Sequence, residues 1–397
     1  MTRSFLYKAL FFFYLVSPFL LSAGFYTLAM APLAAITAWR IPSKKLLSFI
    51  LPLCLIGLIS THGLMSGYTS YAAFKDFWYL LNPLLALYVG CFFYLKLQSQ
   101  HFYYVFILAA LFLALKHLSY FVINPEVLAL GGKDIRELAG RGILVVPFAL
   151  ALLFWGCRGR LCNFRFSAVA SIAFILMASV FLSFSRSGWL LLTLALFVYF
   201  EWYKKPVLIV ISGLMLINIG VLFTGGFETA NPIVNKFLNP MSELVQYESW
   251  NFYDINNNWR GYENFLTREV MANAGFINQL LGFGAGYVLP LDVTITLAGE
   301  AHDEIPVLHS AYSYLFLKTG AVGVLLYLLF MARMLLLSIR LPGLEARSIS
   351  VIAAIIFVTS FAVTGLYNKV QAIPFLLFLG CILGMFWQEE ETRTWQE

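Results

Sequence analysis

Apolar residues along this chain gather into runs of about 15 to 25, the length an α-helix needs to cross a hydrocarbon core about 30 Å thick. Runs of that length must be helical, because lipid offers backbone N–H and C=O groups no partner. Residues 9–39 are apolar but interrupted by Ser17-Pro18, Ser22-Ala-Gly24 and Pro32, which suits two short spans around a turn near Ser22–Tyr26. Further spans are expected at 46–60, 74–95, 101–123, 142–157, 165–183, 187–203 and 206–224, and after a long polar interval at 310–332, 348–367 and 370–387. The pattern predicts an all-α polytopic membrane protein of about twelve transmembrane helices. An N-terminal bundle of about nine spans covers 1–224, one large loop or lid covers 225–308, and about three spans with a short tail cover 309–397. Near 260–275 the loop places Trp259, Tyr262, Phe265 and Leu266 toward one helical face, with Arg260, Glu263, Arg268 and Glu269 as its polar residues. That period predicts an amphipathic helix lying on the membrane surface or capping a cavity.

Composition agrees: 61% of residues are hydrophobic and 12% charged, where a soluble domain carries about 25% charged residues. A soluble globular enzyme is excluded. Cys54, Cys91, Cys157, Cys162 and Cys381 all fall in or beside apolar runs and read as buried thiols. Cys157 and Cys162 lack CxxC spacing and histidine companions, which argues against zinc. Arg3 and Lys8 before the first apolar run imitate a signal peptide, but the run continues towards Trp39 and more spans follow, so a first span is expected.

The net charge of +6 is unevenly distributed. With the N-terminus in the cytoplasm, alternation places the basic loops Arg40-Ile-Pro-Ser-Lys-Lys45, Arg158-Gly-Arg160 and Lys204-Lys205 inside, as the positive-inside rule requires. Both termini are then cytoplasmic and the large loop lies outside. The cations left outside include Lys75, Arg136, Arg141, Arg186, Arg260, Arg268 and Lys318, none of which topology demands. Outer acids offer several of them an ordinary salt bridge. Arg186 is different, because Ser183-Phe-Ser-Arg-Ser-Gly188 sits between two apolar runs with no acid nearby on either side. A charge near hydrocarbon tends to be paired or functional.

Two further motifs stand near the last three spans. Gly282-Phe-Gly-Ala-Gly286 has neither dinucleotide-fingerprint spacing nor a P-loop ending. It reads either as a tight turn needing positive φ or as backbone amides offered to an anion. His309-Ser310, nine further residues and Gly320-Ala-Val-Gly323 open a span. Ser313 shares the face of His309, and the two glycines would permit close helix approach. A structural histidine at the interface is the competing reading. Lys116-His117 is a second polar intrusion within a span, facing the bundle interior or snorkelling. His302 beside Asp303-Glu304 reads as part of a solvated acidic patch, and no metal site is expected.

Taken in order, these motifs resemble the O-antigen ligase and polymerase superfamily of bacterial membrane glycosyltransferases. Ser185-Arg186-Ser187-Gly188 resembles its Ser-Arg-Gly segment, with Ser187 where the family often has glycine. Arg260 with Leu281-Gly-Phe-Gly-Ala-Gly286 is similar to its second arginine and glycine turn, and His309-Ser310 with Gly320 and Gly323 to its histidine motif. The resemblance covers about 180–335; the first half is similar in hydropathy alone. It implies a GT-C-like helical fold in the bacterial inner membrane. The activity implied is transfer of a glycan from undecaprenyl diphosphate to an acceptor sugar hydroxyl at the periplasmic face. His309 would take the acceptor's proton, since imidazole titrates near neutral pH. Arg186 and Arg260 would neutralise the leaving diphosphate through directed, charge-assisted hydrogen bonds. Arg136, Arg141, Arg268, Lys75, Ser310 and Gly284 complete the expected substrate-binding set. No cofactor, metal or nucleic acid is implied; the partners are the lipid-linked glycan, a glycan or lipid A-core acceptor, membrane lipid and a chain-length regulator. The first expectation is an O-antigen ligase of lipopolysaccharide biosynthesis, with a polymerase of lipid-linked repeat units as the alternative. A transporter or lipid-glycan flippase is the rival class, against which the halves show no internal repeat.

Overall fold

The computed structural model describes residues 3–40, 44–97, 101–129, 138, 143–158, 166–183, 185–201, 250–297, 300–341 and 343–394. In chain order its helices are α1 (Arg3–Leu20), α2 (Ala23–Arg40), α3 (Lys44–Ser60), α4 (Ser70–Lys96), α5 (His101–Ile123), α6 (Val145–Arg158), α7 (Phe166–Leu182) and α8 (Arg186–Tyr199). The polar segment contributes α9 (Phe252–Asn257), α10 (Trp259–Asn273) and α11 (Phe276–Leu281), then strands β1 (Leu289–Leu297) and β2 (Glu300–Ile305). The chain closes with α12 (Ala311–Arg340), α13 (Gly343–Ala362) and α14 (Ile373–Thr394).

This is a helical protein built for a bilayer. Five segments, Lys44–Met65, Ser70–Lys96, His101–Ile123, Ala311–Arg340 and Gly343–Phe361, are long and apolar enough to cross a membrane, and shorter apolar helices accompany them. Each expected span within the described residues coincides with one of these helices; the span at 206–224 lies outside the described residues. The polar segment departs from the all-α expectation. Strands β1 and β2 form an antiparallel hairpin in which Leu289 faces Ile305 and Leu297 faces Glu300, with a register shift between Pro290 and Ile295. Leu291-Asp-Val-Thr-Ile-Thr-Leu297 alternates apolar and polar residues, the period-two signal of a strand.

Helix α4 is the axis of the bundle, packed along α14 and also against α2 and α3. Its closest approach to α14 is at Gly90 and Gly380, where a side chain on either glycine would run into the other helix's backbone. Two of the expected buried thiols sit at this crossing: Cys91 donates to the Gly380 carbonyl and Cys381 to the Gly90 carbonyl, both at 3.2 Å; Cys54 on α3 is half-buried, and Cys162 and the side chain of Cys157 lie outside the described residues. Helix α8 packs along α13, and the Tyr199 hydroxyl lies 3.0 Å from Ser348 Oγ. The C-terminal end of α8 is thereby fixed to the N-terminal end of α13. Arg186 accordingly begins α8 at the end of the bundle where α13 finishes.

One buried ion pair ties this end together. Lys318 on α12 donates to Asp76 Oδ2 on α4 at 2.6 Å, and both side chains are nearly inaccessible. Tyr314 donates its hydroxyl to Asp76 Oδ1 at 2.8 Å, the Gly286 amide donates to Oδ2 at 2.7 Å, and Lys318 also reaches the Tyr287 carbonyl. Lys318 is therefore no outward-facing cation, as the hydropathy reading had it. A buried ammonium persists where an opposite charge and further acceptors satisfy it, and Asp76 and Tyr287 supply both.

Candidate functional site

The candidate site is assembled where α10 meets the start of α12. Ser310 caps α12, its hydroxyl accepting from the Ser313 amide at 3.3 Å. His309 stands immediately outside the cap. Opposite it, Glu263 projects from the middle of α10 into the protein, 1% exposed. Helix α10 forms as the amphipathic period expects, burying Tyr262, Leu266 and Met271. Glu263 corrects that reading, because it lies on the buried face rather than the solvated one.

Its burial is explained by the donors that converge on it. Glu263 Oε2 accepts from the His309 amide at 3.0 Å. Its Oε1 lies 2.9 Å from His309 Nδ1 and accepts from Trp259 Nε1, one turn earlier on the same helix, at 2.7 Å. With Glu263 as a carboxylate the hydrogen bonds assign the imidazole proton to Nδ1 in this pair. In the neutral ring Nε2 is then the free acceptor. The His309 side chain is 44% exposed against 1% for Glu263. One buried carboxylate therefore fixes the ring's position, its tautomer and the backbone beneath it. This is the dyad arrangement in which a histidine can accept a proton from a substrate hydroxyl.

Neighbouring contacts stiffen the frame. Ser313 donates its hydroxyl to Asn264 Oδ1, joining α12 to the residue after Glu263. The Asp292 amide donates to the Tyr262 hydroxyl at 3.3 Å, joining α10 to β1, and burial raises the pKa of that phenol. Beside the dyad, a groove of about 610 Å³ runs between α10, α12 and α13, lined by Asn264, Arg268, Ser313, Phe316, Val324 and Phe361 among others. A second groove of about 380 Å³ continues it towards α11, along Met271, Phe276 and Leu280.

The glycine motif is a crossing of backbones. Gly284 has φ 87° and Gly320 has φ 64°, both in the left-handed region. A Cβ on Gly284 would strike the backbone of Gly63, and one on Gly63 the backbone of Gly284 and Ala285. Gly282 and Gly320 stand in the same reciprocal relation: Gly282 presses on Lys318 and Thr319, Gly320 on Leu280 and Leu281. The amides of this turn are used by the fold. Phe283 donates to the Leu317 carbonyl, Gly284 to the Lys318 carbonyl, Ala285 to the Ser60 carbonyl and Gly286 to Asp76. The tight-turn reading accounts for the motif, whereas the expected anion contact at Gly284 has no free amide to make it. Gly320 admits α11 rather than a neighbouring span, and Gly323 is crowded by Thr319 of its own helix.

The remaining expected residues are distributed around this end. Arg260 lies half-buried on α10, one turn before Asn264, and Arg268 is exposed on the same helix and lines both grooves. Ser310 borders the larger groove, but its hydroxyl is engaged by the cap and by the Ser360 carbonyl at 3.4 Å. Lys75 is half-buried on α4 beside Asp76. Arg186 is the first residue of α8, after the cap Ser185, whose hydroxyl accepts from the Gly188 amide at 3.3 Å. Arg136 and Arg141 lie outside the described residues. Among the described residues no three His, Cys, Asp or Glu side chains converge in a metal-holding group. His117, buried on α5, instead faces Ser179 Oγ at 3.0 Å. Sequence reasoning missed Glu263, Asp76 and the true position of Lys318. Comparison with known proteins adds no relative to this geometry: no family model matches the chain, and no curated protein matches it.

Proposed function

We propose that this protein is a membrane glycosyltransferase that moves a glycan from a polyisoprenyl diphosphate, undecaprenyl diphosphate by resemblance, to a sugar hydroxyl. The observation that carries the reading is the Glu263–His309 dyad, an exposed imidazole held by a buried carboxylate, with the neighbouring Ser310 and Asn264 lining a groove bordered by membrane-type helices. The acceptor oxygen attacks the anomeric carbon of the donor sugar, and its proton passes to His309 Nε2. The bond from that carbon to the diphosphate oxygen breaks, and the diphosphate leaves with its charge met by arginines. Arg260 and Arg186 are assigned to that charge by resemblance; Arg260 lies on the same helix as Glu263, and Arg186 begins α8. The direct displacement makes the reaction inverting. The site faces the periplasm of a bacterial inner membrane in this reading, with both termini cytoplasmic, as the basic loops support. The acceptor is lipid A-core for a ligase and a second lipid-linked repeat for a polymerase.

A reconstituted assay with lipid-linked donor tests the base. Glutamine at 309 can accept or donate a hydrogen bond but is not an effective base at neutral pH. His309→Gln should therefore be folded and nearly inactive. A stable Gln variant with wild-type turnover would refute the assignment. Glycan profiling of a deletion strain separates the acceptors: unattached lipid-linked polymer indicates a ligase, single repeats on core a polymerase.

A further inference from the structure

Three membrane-type segments meet the glycine turn, and each meets it at a similar distance from a basic end. Gly63, near the close of the segment Lys44–Met65, lies against the backbone of Gly284 and Ala285. Asp76 of α4, which ends at Lys96, accepts from the Gly286 amide at 2.7 Å. Gly320 of α12, which ends at Arg340, lies against Leu280 and Leu281 just ahead of the turn. The basic ends of α12 and α3 lie together as well, since Arg333 donates to the Ser48 carbonyl. In each segment about 20 residues separate the basic end from the turn, which is about 30 Å of helix and the thickness of a hydrocarbon core. With the lysines and the arginine at one boundary, the glycine turn falls at the other.

What flanks the turn suits that level. Helix α11, immediately before it, buries none of its six residues, and Phe276 and Ile277 are 73% and 70% exposed. Across the Gly63–Gly284 contact, Thr61–Met65 forms a 3-10 turn on which Leu64 and Met65 are 59% and 91% exposed. Large apolar side chains grouped on two adjoining short elements are unfavourable in water, by about 25 cal/mol per Å², and at home among acyl chains. Tyr68 and Tyr287 pack edge to face at 5.7 Å beside Gly286, and tyrosine is enriched where a membrane meets water. Both short elements are held at this level by backbone crossings too tight for a side chain, Gly63 with Gly284 and Gly282 with Gly320's neighbours Lys318 and Thr319.

We propose that the glycine turn lies in the plane of the bilayer surface, with α11 and the Thr61–Met65 turn as in-plane anchors. Phe276, Ile277, Leu64 and Met65 enter the leaflet, and the partner of this surface is the lipid layer itself. The first part of α12, Ala311–Thr319, then leads from that level towards water, over at most about 14 Å. His309 stands just beyond its outer end. The Glu263–His309 pair is thereby held on the water side of the boundary, at a height that the anchors set. They do this whatever reaction the site performs.

Spin labels test the depth. Nitroxides are attached at Ile277→Cys and at Met65→Cys in the full-length chain, its five native cysteines replaced by alanine, in nanodiscs of phosphatidylethanolamine and phosphatidylglycerol. Both should collide with oxygen more than with a water-soluble nickel chelate, at about 5–10 Å below the phosphates. A nitroxide at Asp303→Cys, exposed on β2, should show the reverse. Nickel above oxygen at either anchor, or shielding of either from both reagents by other protein segments, overturns the proposal. A preference for oxygen at Asp303→Cys would move the boundary away from the turn and overturn it too. If the cysteine-free chain does not fold, p-benzoylphenylalanine placed at position 276 of the otherwise wild-type chain should form lipid adducts on irradiation; their absence overturns the anchor.

Discussion

Glu263 and Asp76 are both carboxylates with about 1% exposure, and each accepts hydrogen bonds from several donors. They differ in what stands beyond them. Around Asp76 the donors are an ammonium, a phenol and an amide, each of them buried, and the network ends inside the protein. Around Glu263 one donor is an imidazole whose side chain is 44% exposed. Desolvating a carboxylate is costly in both places and has to be offset by its donors. At Asp76 the return is the joining of α4, α12 and the glycine turn. At Glu263 it is an oriented base. Burial of charge does not by itself mark a site; an unsatisfied valence at the end of the chain of hydrogen bonds does.

The largest expected effect breaks the closed network. Asp76→Ala leaves Lys318 buried without its counter-charge, which costs about 3–5 kcal/mol, a large share of the stability of an ordinary domain. The variant should be recovered in poor yield with a sharply lowered melting temperature in detergent; a melting temperature equal to wild type would show that the pair is dispensable. His309→Ala should do the opposite, losing transfer by about 10²–10⁴-fold while melting close to wild type, because Glu263 keeps the Trp259 indole and the residue-309 amide. Proportional loss of melting temperature and transfer would instead make His309 structural.

Glu263→Gln sharpens the contrast. The amide keeps the shape, but its NH2 group would confront one of the donors that Glu263 accepts. The lost charge-assisted bond is worth about 1.5–3 kcal/mol, so turnover should fall roughly 10- to 100-fold with donor binding retained. If the variant instead loses stability with turnover intact, the two carboxylates are of one kind. Ser310→Ala should show the smallest effect, about 1 kcal/mol of stability for the missing helix cap, read as a small drop in the melting temperature.

Much of the frame was legible because a bilayer leaves the chain few choices. Apolar runs must become helices, so α1 to α8 and α12 to α14 follow from hydropathy. His309 could be singled out because it stands at the entry to a span, and the glycines because few other residues turn so tightly. What the glycines pack against could not be read: Gly63 and Gly284 meet across a long sequence separation that no local pattern records. The same holds for Glu263, which reads as one more polar residue on an amphipathic helix until its partner at 309 is brought to it. Lys318 and Asp76 lie 242 positions apart. The side chain of a lysine near a span boundary looks solvated in sequence and is buried in space. The alternation of Leu291–Leu297 is the signal that could have shown the β-hairpin, in a stretch read from the sequence only as part of the loop.

That separation of 242 residues has a consequence for how the molecule is made. At about 5–20 residues per second of synthesis, Asp76 emerges from the ribosome some tens of seconds before Lys318 exists. During that interval α4 carries an unpartnered acid, and a charge in hydrocarbon is costly. Its position near the N-terminal end of α4 lets the carboxylate remain at the water boundary while it waits. Helix α12 then arrives with a lysine whose cost of entering the membrane falls on meeting Asp76. Entry of α12 into the membrane is thereby expected to be easier once α4 is in place. Pulse labelling should reveal it: in an Asp76→Asn chain, the α12 segment should enter the bilayer late or incompletely, while the preceding spans insert at their usual pace.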